Sequence, residues 1–423
     1  MTVWYAEWAW LGGAEATAGV VLEAVDGVFA DVRVGPAPPG AERVAGLVLP
    51  GLVNAHSHAF HRALRGRAGG ADFWSWRDQM YTVAARLDPS TYLALATACF
   101  AEMAEAGITT VHEFHYLHHP GGMDDAVVEA ARAVGVRLVL LDTCYLRAGF
   151  ANEPLSLVQQ RFSDGDVDRW AARASLVAAR HPDVVVGAAV HSVRAVDTAS
   201  MAAVASWAAE RAVPLHFHLS EQPAENEACL AATGYAPTQL AESAGMLGPR
   251  STAVHATHVT PDDIARLGRS GTTVCLCPTT ERDLADGVGP AAALGGAGCP
   301  LALGSDSQAV VDLFEEARAV ELDERLVTGR RGAHAPAALL GAATGGGVLA
   351  PGAPADFVVL SLDSPRLAGF DPRRAAAHVV FAAAPADVGE VVVGGRRVVS
   401  AGRHVAIDTA AALHAAIAAV ADP

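Results

Sequence analysis

The chain of 423 residues carries 30 basic against 46 acidic side chains, a net charge of −16, which makes nucleic acid and anionic membrane surfaces poor partners for it. All 30 basic residues are arginine, and the lack of lysine excludes Schiff-base chemistry, the lysine of a phosphate-binding P-loop and any metal pair bridged by a carbamylated lysine. Apolar residues at 52% give ample material for one large barrel with an accessory domain.

Residues 1–48 read as short strands, "TVWYAEWAWL" and "GVVLEAVDGVFADVRVG", with glycine and proline between them. Glu7 interrupts the first apolar stretch and no basic segment precedes it, so no signal peptide is expected. No apolar run reaches the ~20 residues that a membrane span needs, and a soluble cytoplasmic protein is expected. From 49 to 348 the pattern changes. The runs "LVNAHSH", "TTVHEFHY", "LVLLDTCY", "VVVGAAVHS", "VPLHFHL", "TAVHATH", "TTVCLCP" and "LALGSDS" alternate with alanine-rich amphipathic stretches such as "STYLALATACFAEMAEAG". Eight strands alternating with helices predict an α/β fold, a distorted (β/α)₈ TIM barrel. Residues 349–423 return to strand-like runs, "APADFVVLSLD" and "VGEVVVGGRRVVSAGRHV". Neither chain end alone has enough strands to bury a face, so 1–48 and 349–423 together predict one small β-sandwich domain. The six cysteines form no C-x-x-C pair, and Cys275 and Cys277 read as buried strand thiols.

Almost every barrel run ends in a polar residue, and the C-terminal ends of the strands are where such a barrel keeps its chemistry. His56 and His58 stand two apart and therefore point to one side of their strand. His-x-His alone is a weak signal in a chain with 17 histidines. The fifth run adds His216, His218 and Glu221, the sixth His255 and His258, and the eighth Asp306. Four strands that deliver imidazole and carboxylate groups to one rim predict a divalent-metal site. Three imidazole nitrogens, one carboxylate oxygen and an open position suit zinc. Zinc brings the pKa of a bound water to about 7, which points to a hydrolase.

"PGLVNAHSHAF", "HFHLSE", "HATH" and "GSDS", in this order, resemble the amidohydrolase superfamily over nearly the whole chain. "FWSWRDQMY", "EFHYLHH" and "HSVRAV" are similar, within it, to the formimidoylglutamate deiminases. That resemblance implies hydrolysis of N-formimino-L-glutamate to N-formyl-L-glutamate and ammonia, as in histidine degradation. It implies one metal per subunit, held by His56, His58, His218 and Asp306. Glu221 and His255 would then be the acid–base pair, with Asp306 also taking a proton from the attacking water. Arg77, Tyr116, His191 and Arg194 would line a pocket for a small anionic, amino-acid-derived substrate, because two guanidinium forks suit the two carboxylates of a glutamate. His61 departs from the pattern, which carries a substrate-touching glutamine there; His61 is read as a pocket residue and not as a third ligand. His216 and His258 are read as structural, and Trp74 and Trp76 as packing for a lid helix. A homodimer follows by analogy alone. Two other readings stay open from the residues: a deaminase of another amidine, guanidino or purine-like compound, and a metal-free scaffold barrel.

Overall fold

The computed structural model describes residues 1–67, 73–151 and 153–421. The chain opens with β1 (Thr2–Ala9), β2 (Thr17–Val25), β3 (Val28–Val34) and β4 (Glu42–Pro50). Eight strands follow, alternating with helices: β5 (Leu52–Ser57), β6 (Ile108–His115), β7 (Arg137–Cys144), β8 (Val185–Ser192), β9 (Leu215–Leu219), β10 (Ser251–His255), β11 (Thr273–Leu276) and β12 (Leu301–Leu303). The chain ends with β13 (Phe357–Leu360), β14 (Val388–Val393), β15 (Arg396–Ser400) and β16 (Arg403–His404).

β5 to β12 pair in sequence order, each parallel to the next, as the expected barrel requires. The seam between the last strand and the first closes just above β12. There the His58 N–H donates to the Asp306 carbonyl at 3.1 Å, and the Asp306 N–H donates to the His56 carbonyl at 3.0 Å. Gly304 makes the approach possible: a Cβ there would stand 2.7 Å from the His56 carbonyl oxygen and 2.8 Å from its Cβ. Closure and site are thus built from the same backbone.

The terminal strands form one eight-stranded sheet in the order β16-β15-β14-β13-β4-β1-β2-β3, antiparallel apart from the β1–β4 pair. Three strands, β4, β1 and β2, lie between β13 and β3 in that order, yet Phe29 of β3 stacks on Phe357 of β13 at 6.5 Å, and Trp4 meets the same ring edge-on at 5.1 Å. A bridge from Val28 to Pro354 joins the two ends. The sheet therefore curls over its own apolar face into the sandwich expected from both termini, with Val20, Leu22, Val48 and Val392 inside. The C-terminal stretch also supplies helices Ala375–Ala382 and Thr409–Val420. Arg318 of a barrel helix caps the first through the Val380 and Ala383 carbonyls, and Glu105 of another accepts from Thr409 at the start of the second.

All six cysteines are free and buried, including Cys275 and Cys277 inside the barrel. Among the described residues no helix is long and apolar enough to cross a membrane.

Candidate active site

The barrel mouth opens into a cavity of about 310 Å³. Every residue proposed for the site from the sequence lines it except His56, which is wholly buried beneath. His56 lies on β5 and His58 just beyond; Tyr116 follows β6; His191 is the last residue but one of β8, with Arg194 beyond the strand; His218 lies on β9, His255 ends β10 and Asp306 follows β12. His255 and Asp306 hold φ at 71° and 43°, a left-handed backbone that non-glycine residues seldom adopt. Such strain persists where surrounding structure enforces it, most often at functional sites.

Four side chains converge at the floor. His56 Nε2 and His58 Nε2 lie 3.3 and 3.4 Å from Asp306 Oδ1, and His218 Nε2 lies 3.2 Å from His56 Nε2. His58 Nδ1 donates to the Phe114 carbonyl at 2.9 Å, and His218 Nδ1 donates to the His191 carbonyl at 2.7 Å. A carbonyl only accepts, so in the neutral form both rings carry their proton on Nδ1 and turn a bare Nε2 lone pair inward. Burial lowers the pKa of His56, His58 and His218, with mutual repulsion adding to it at His58 and His218. Burial works against an ionised Asp306, yet the hydrogen bond and charge of His56, with His255 and His58 beyond, hold it well below the usual carboxylate range. Inward-facing lone pairs beside a carboxylate repel one another unless a cation lies between them. The donor set fits a divalent metal of the zinc type, and the Nδ1-to-carbonyl bonds are the outer contacts that orient such ligands.

Above the floor, His255 Nε2 lies 3.7 Å from Glu221 Oε1 and 3.8 Å from Asp306 Oδ2, while its Nδ1 faces Glu281 Oε1 at 3.4 Å. Burial opposes a charged His255, but Glu221, Glu281 and Asp306 outweigh it and raise the pKa well above its ordinary value. Burial pushes Glu221 up to about 7, with His255 opposing and Asp306 and Glu225 adding to the rise. A carboxyl poised near neutrality beside an imidazole can both take and return a proton.

Arg77 lies on the helix Phe73–Arg86, where its guanidinium stacks 4.5 Å over Trp74 and 5.5 Å from Tyr81. Trp74 and Trp76 were expected only to pack that helix. Both reach the cavity wall, and Trp76 meets His61 edge-on at 5.1 Å. His61 Nε2 is engaged by the Tyr116 hydroxyl at 2.8 Å. His216 packs on His112 with ring centroids 5.5 Å apart, and His258 Nε2 binds the Asp286 carbonyl at 2.7 Å. Glu225, Glu281, Asp286 and Tyr145 were not anticipated. The one sequence signal Glu225 offered is its place four residues past Glu221; in the fold its charge acts on Arg194.

The amidohydrolase family profile matches residues 47–398. The chain belongs to the amidohydrolase family. It is 37% identical over 415 residues to the formimidoylglutamate deiminase of Pseudomonas aeruginosa, covering 90% of each chain. It is also 33% identical over 422 residues to the 8-oxoguanine deaminase of the same organism, again over 90% of each. A crystal structure of an amidohydrolase from Brucella melitensis superposes with a TM-score of 0.90 at 30% identity, covering 99% of this chain and 100% of that one. This amidohydrolase is therefore similar to a deiminase and a deaminase over about nine-tenths of its length.

Buried imidazoles give this amidohydrolase a pH signature. His112 and His115 are both held down to about 4, chiefly by burial, whereas a histidine in the unfolded chain titrates near 6.5. Between those values the unfolded chain binds protons that the folded one refuses. Each histidine thus contributes stability that is present at pH 7 and lost as pH falls from about 6.5 towards 4, at up to about 1.4 kcal/mol per pH unit. The melting temperature should drop steadily over that window, and a flat profile would count against neutral buried rings.

Proposed function

We propose that this amidohydrolase hydrolyses the C=N bond of N-formimino-L-glutamate, giving N-formyl-L-glutamate and ammonia. The observation that carries the reading is the pair of guanidinium groups, Arg77 and Arg194, on the wall of a cavity whose floor is the His/Asp cluster. Two forks in one small cavity suit a substrate with two carboxylates. A flat purine is the natural rival, given the aromatic walls and the likeness to 8-oxoguanine deaminase. The Trp74 face, however, carries Arg77 itself, so that ring holds an anion-binding group in place and is not free to stack a base.

His56, His58, His218 and Asp306 would hold the metal, for which zinc is the best match to the donors. A divalent cation held there would lower the pKa of a water beside it and would stabilise the charge that builds up on addition. Asp306 takes the proton of the attacking water and His255, through Nε2, orients that water. Tyr116 and His191 line the cavity and would stand over the formimino group; His61 lines it too, with its Nε2 engaged by the Tyr116 hydroxyl. Glu221 carries a proton to the departing nitrogen. The C–N bond then breaks, ammonia leaves, and the hydroxyl added to carbon gives its proton back to Glu221 as it becomes the formyl carbonyl. The Glu221 carboxylate also welcomes the positive charge of the amidinium.

Ammonia release is to be measured on N-formimino-L-glutamate, N-formimino-L-aspartate, N-guanidino-L-glutamate, 8-oxoguanine and adenosine. The first should show the highest kcat/KM; a purine that outruns it overturns the substrate. Arg77→Ala and Arg194→Ala should each raise KM about 10–100-fold with kcat changed only a few-fold, as loss of a charge-assisted hydrogen-bonded pair implies. An unchanged KM in both variants would remove the argument for a dicarboxylate.

A further inference from the structure

Asp286 lies in the loop after the helix Pro278–Asp283 and is 2% exposed. Its backbone is pinned on both sides: its N–H donates to the Glu281 carbonyl at 2.9 Å, and its own carbonyl accepts from His258 Nε2 at 2.7 Å. Oδ1 accepts a hydrogen bond from the side chain of Gln222, the neighbour of Glu221. Oδ2 is buried and, among the described residues, has no hydrogen-bond partner. Carboxyl oxygens of Asp286 and Glu221 and a ring nitrogen of His255 all lie within 4.8 Å of one another.

An ionised carboxylate with an idle buried oxygen, set beside a second carboxylate, is an expensive arrangement. A neutral acid in the same place has a hydrogen to give, and with Gln222 donating to Oδ1 that hydrogen belongs on Oδ2. We propose that Asp286 is a positioning residue, a neutral acid whose Oδ2–H donates to Glu221 and holds that side chain beside His255 Nε2, facing the cavity. The inference rests on the reading of Glu221 as the proton carrier. Burial, followed by the charge of Glu221, pushes Asp286 up to about 9, in keeping with the acid form. Asp286 keeps its proton through turnover; only the orientation of Glu221 depends on it.

Asparagine mimics the neutral acid, since its oxygen still accepts from Gln222 and its Nδ2–H still donates to Glu221. Alanine removes both bonds. The test compares wild type, Asp286→Ala, Asp286→Asn and Glu221→Gln by ammonia release from N-formimino-L-glutamate, with metal content and melting temperature for each. Asp286→Ala should lower kcat about 10–100-fold with metal content kept and KM within about 3-fold, the scale for loss of a supporting hydrogen bond. Asp286→Asn should recover to within about 5-fold of wild type, and adding Asp286→Ala to Glu221→Gln should cost little more, because the two act as one unit. The inference is overturned if the asparagine variant is as slow as the alanine one, which would mean that the negative charge matters, or if the alanine variant is as fast as wild type. Should the alanine variant not fold, the asparagine variant decides alone. Failure of the underlying reading looks different: Glu221→Gln would then turn over normally, or wild type would release no ammonia, and the inference would fall with it.

Discussion

Stripping the protein with a chelator is expected to lower ammonia release at least 10³-fold, and re-added Zn²⁺ to restore it. The expectation follows from the floor of the cavity. His58 and His218 have spent their Nδ1 protons on the Phe114 and His191 carbonyls, so no proton is available to relieve the repulsion between their inward lone pairs. Asp306, held ionised, adds a carboxylate to the same point. That geometry is stable with a cation and frustrated without one. The loaded protein should also melt higher, since a ligand at 100 times its dissociation constant contributes about 2.7 kcal/mol to stability. His218→Ala removes one of the bare nitrogens and should behave as a permanently stripped protein, with metal content well below one per subunit. Metal analysis should give one ion in wild type, because the chain has no lysine to bridge a second. Full activity after exhaustive chelation would sink the hydrolytic reading altogether.

What the sequence conveyed of this site, and what it withheld, divides along a physical line. His56 and His58 were legible because strand periodicity puts them on one side, and the ends of β5, β9, β10 and β12 collect on one rim of any such barrel. The curled terminal sheet was legible in outline, because two groups of strands too few to bury a face must find each other. Asp286, Glu281 and Glu225 were not legible. They lie in a loop or in the first turns of helices, and what brings them to Glu221, His255 and Arg194 is the packing of those segments over the mouth, for which no short-range pattern exists. Trp74 and Trp76 do pack the helix Phe73–Arg86, Trp74 under Arg77 and both against Phe73, but that they also line the cavity was not legible. Helical spacing says that a face is apolar, but does not say whether it meets the core or an open cavity. His61 was read as a pocket residue, and it lines the cavity; its commitment to the Tyr116 hydroxyl depends on a contact across 55 residues of chain.

Glu221→Gln is expected to lower kcat about 10²–10⁴-fold, the usual worth of a positioned general acid–base group, equivalent to about 3–5 kcal/mol of barrier. Glutamine keeps the size and hydrogen-bonding reach of the side chain, so the cavity and KM should change little. What it loses is the capacity to take a proton at one moment and give it back at the next. Glu221 suits that task because burial pushes it up to about 7, where acid and base forms are both populated at neutral pH. Its partner His255, 3.7 Å away, is drawn towards the charged form by the carboxylates around it, so the pair shares charge across one short gap. Glu221 is not among the groups that converge at the floor, and the variant should therefore bind metal as wild type does. Metal content measured on the same preparation separates the two roles: a variant that loses activity and metal together would make Glu221 a structural support of the floor, whereas loss of turnover with the metal retained leaves proton transfer as its work.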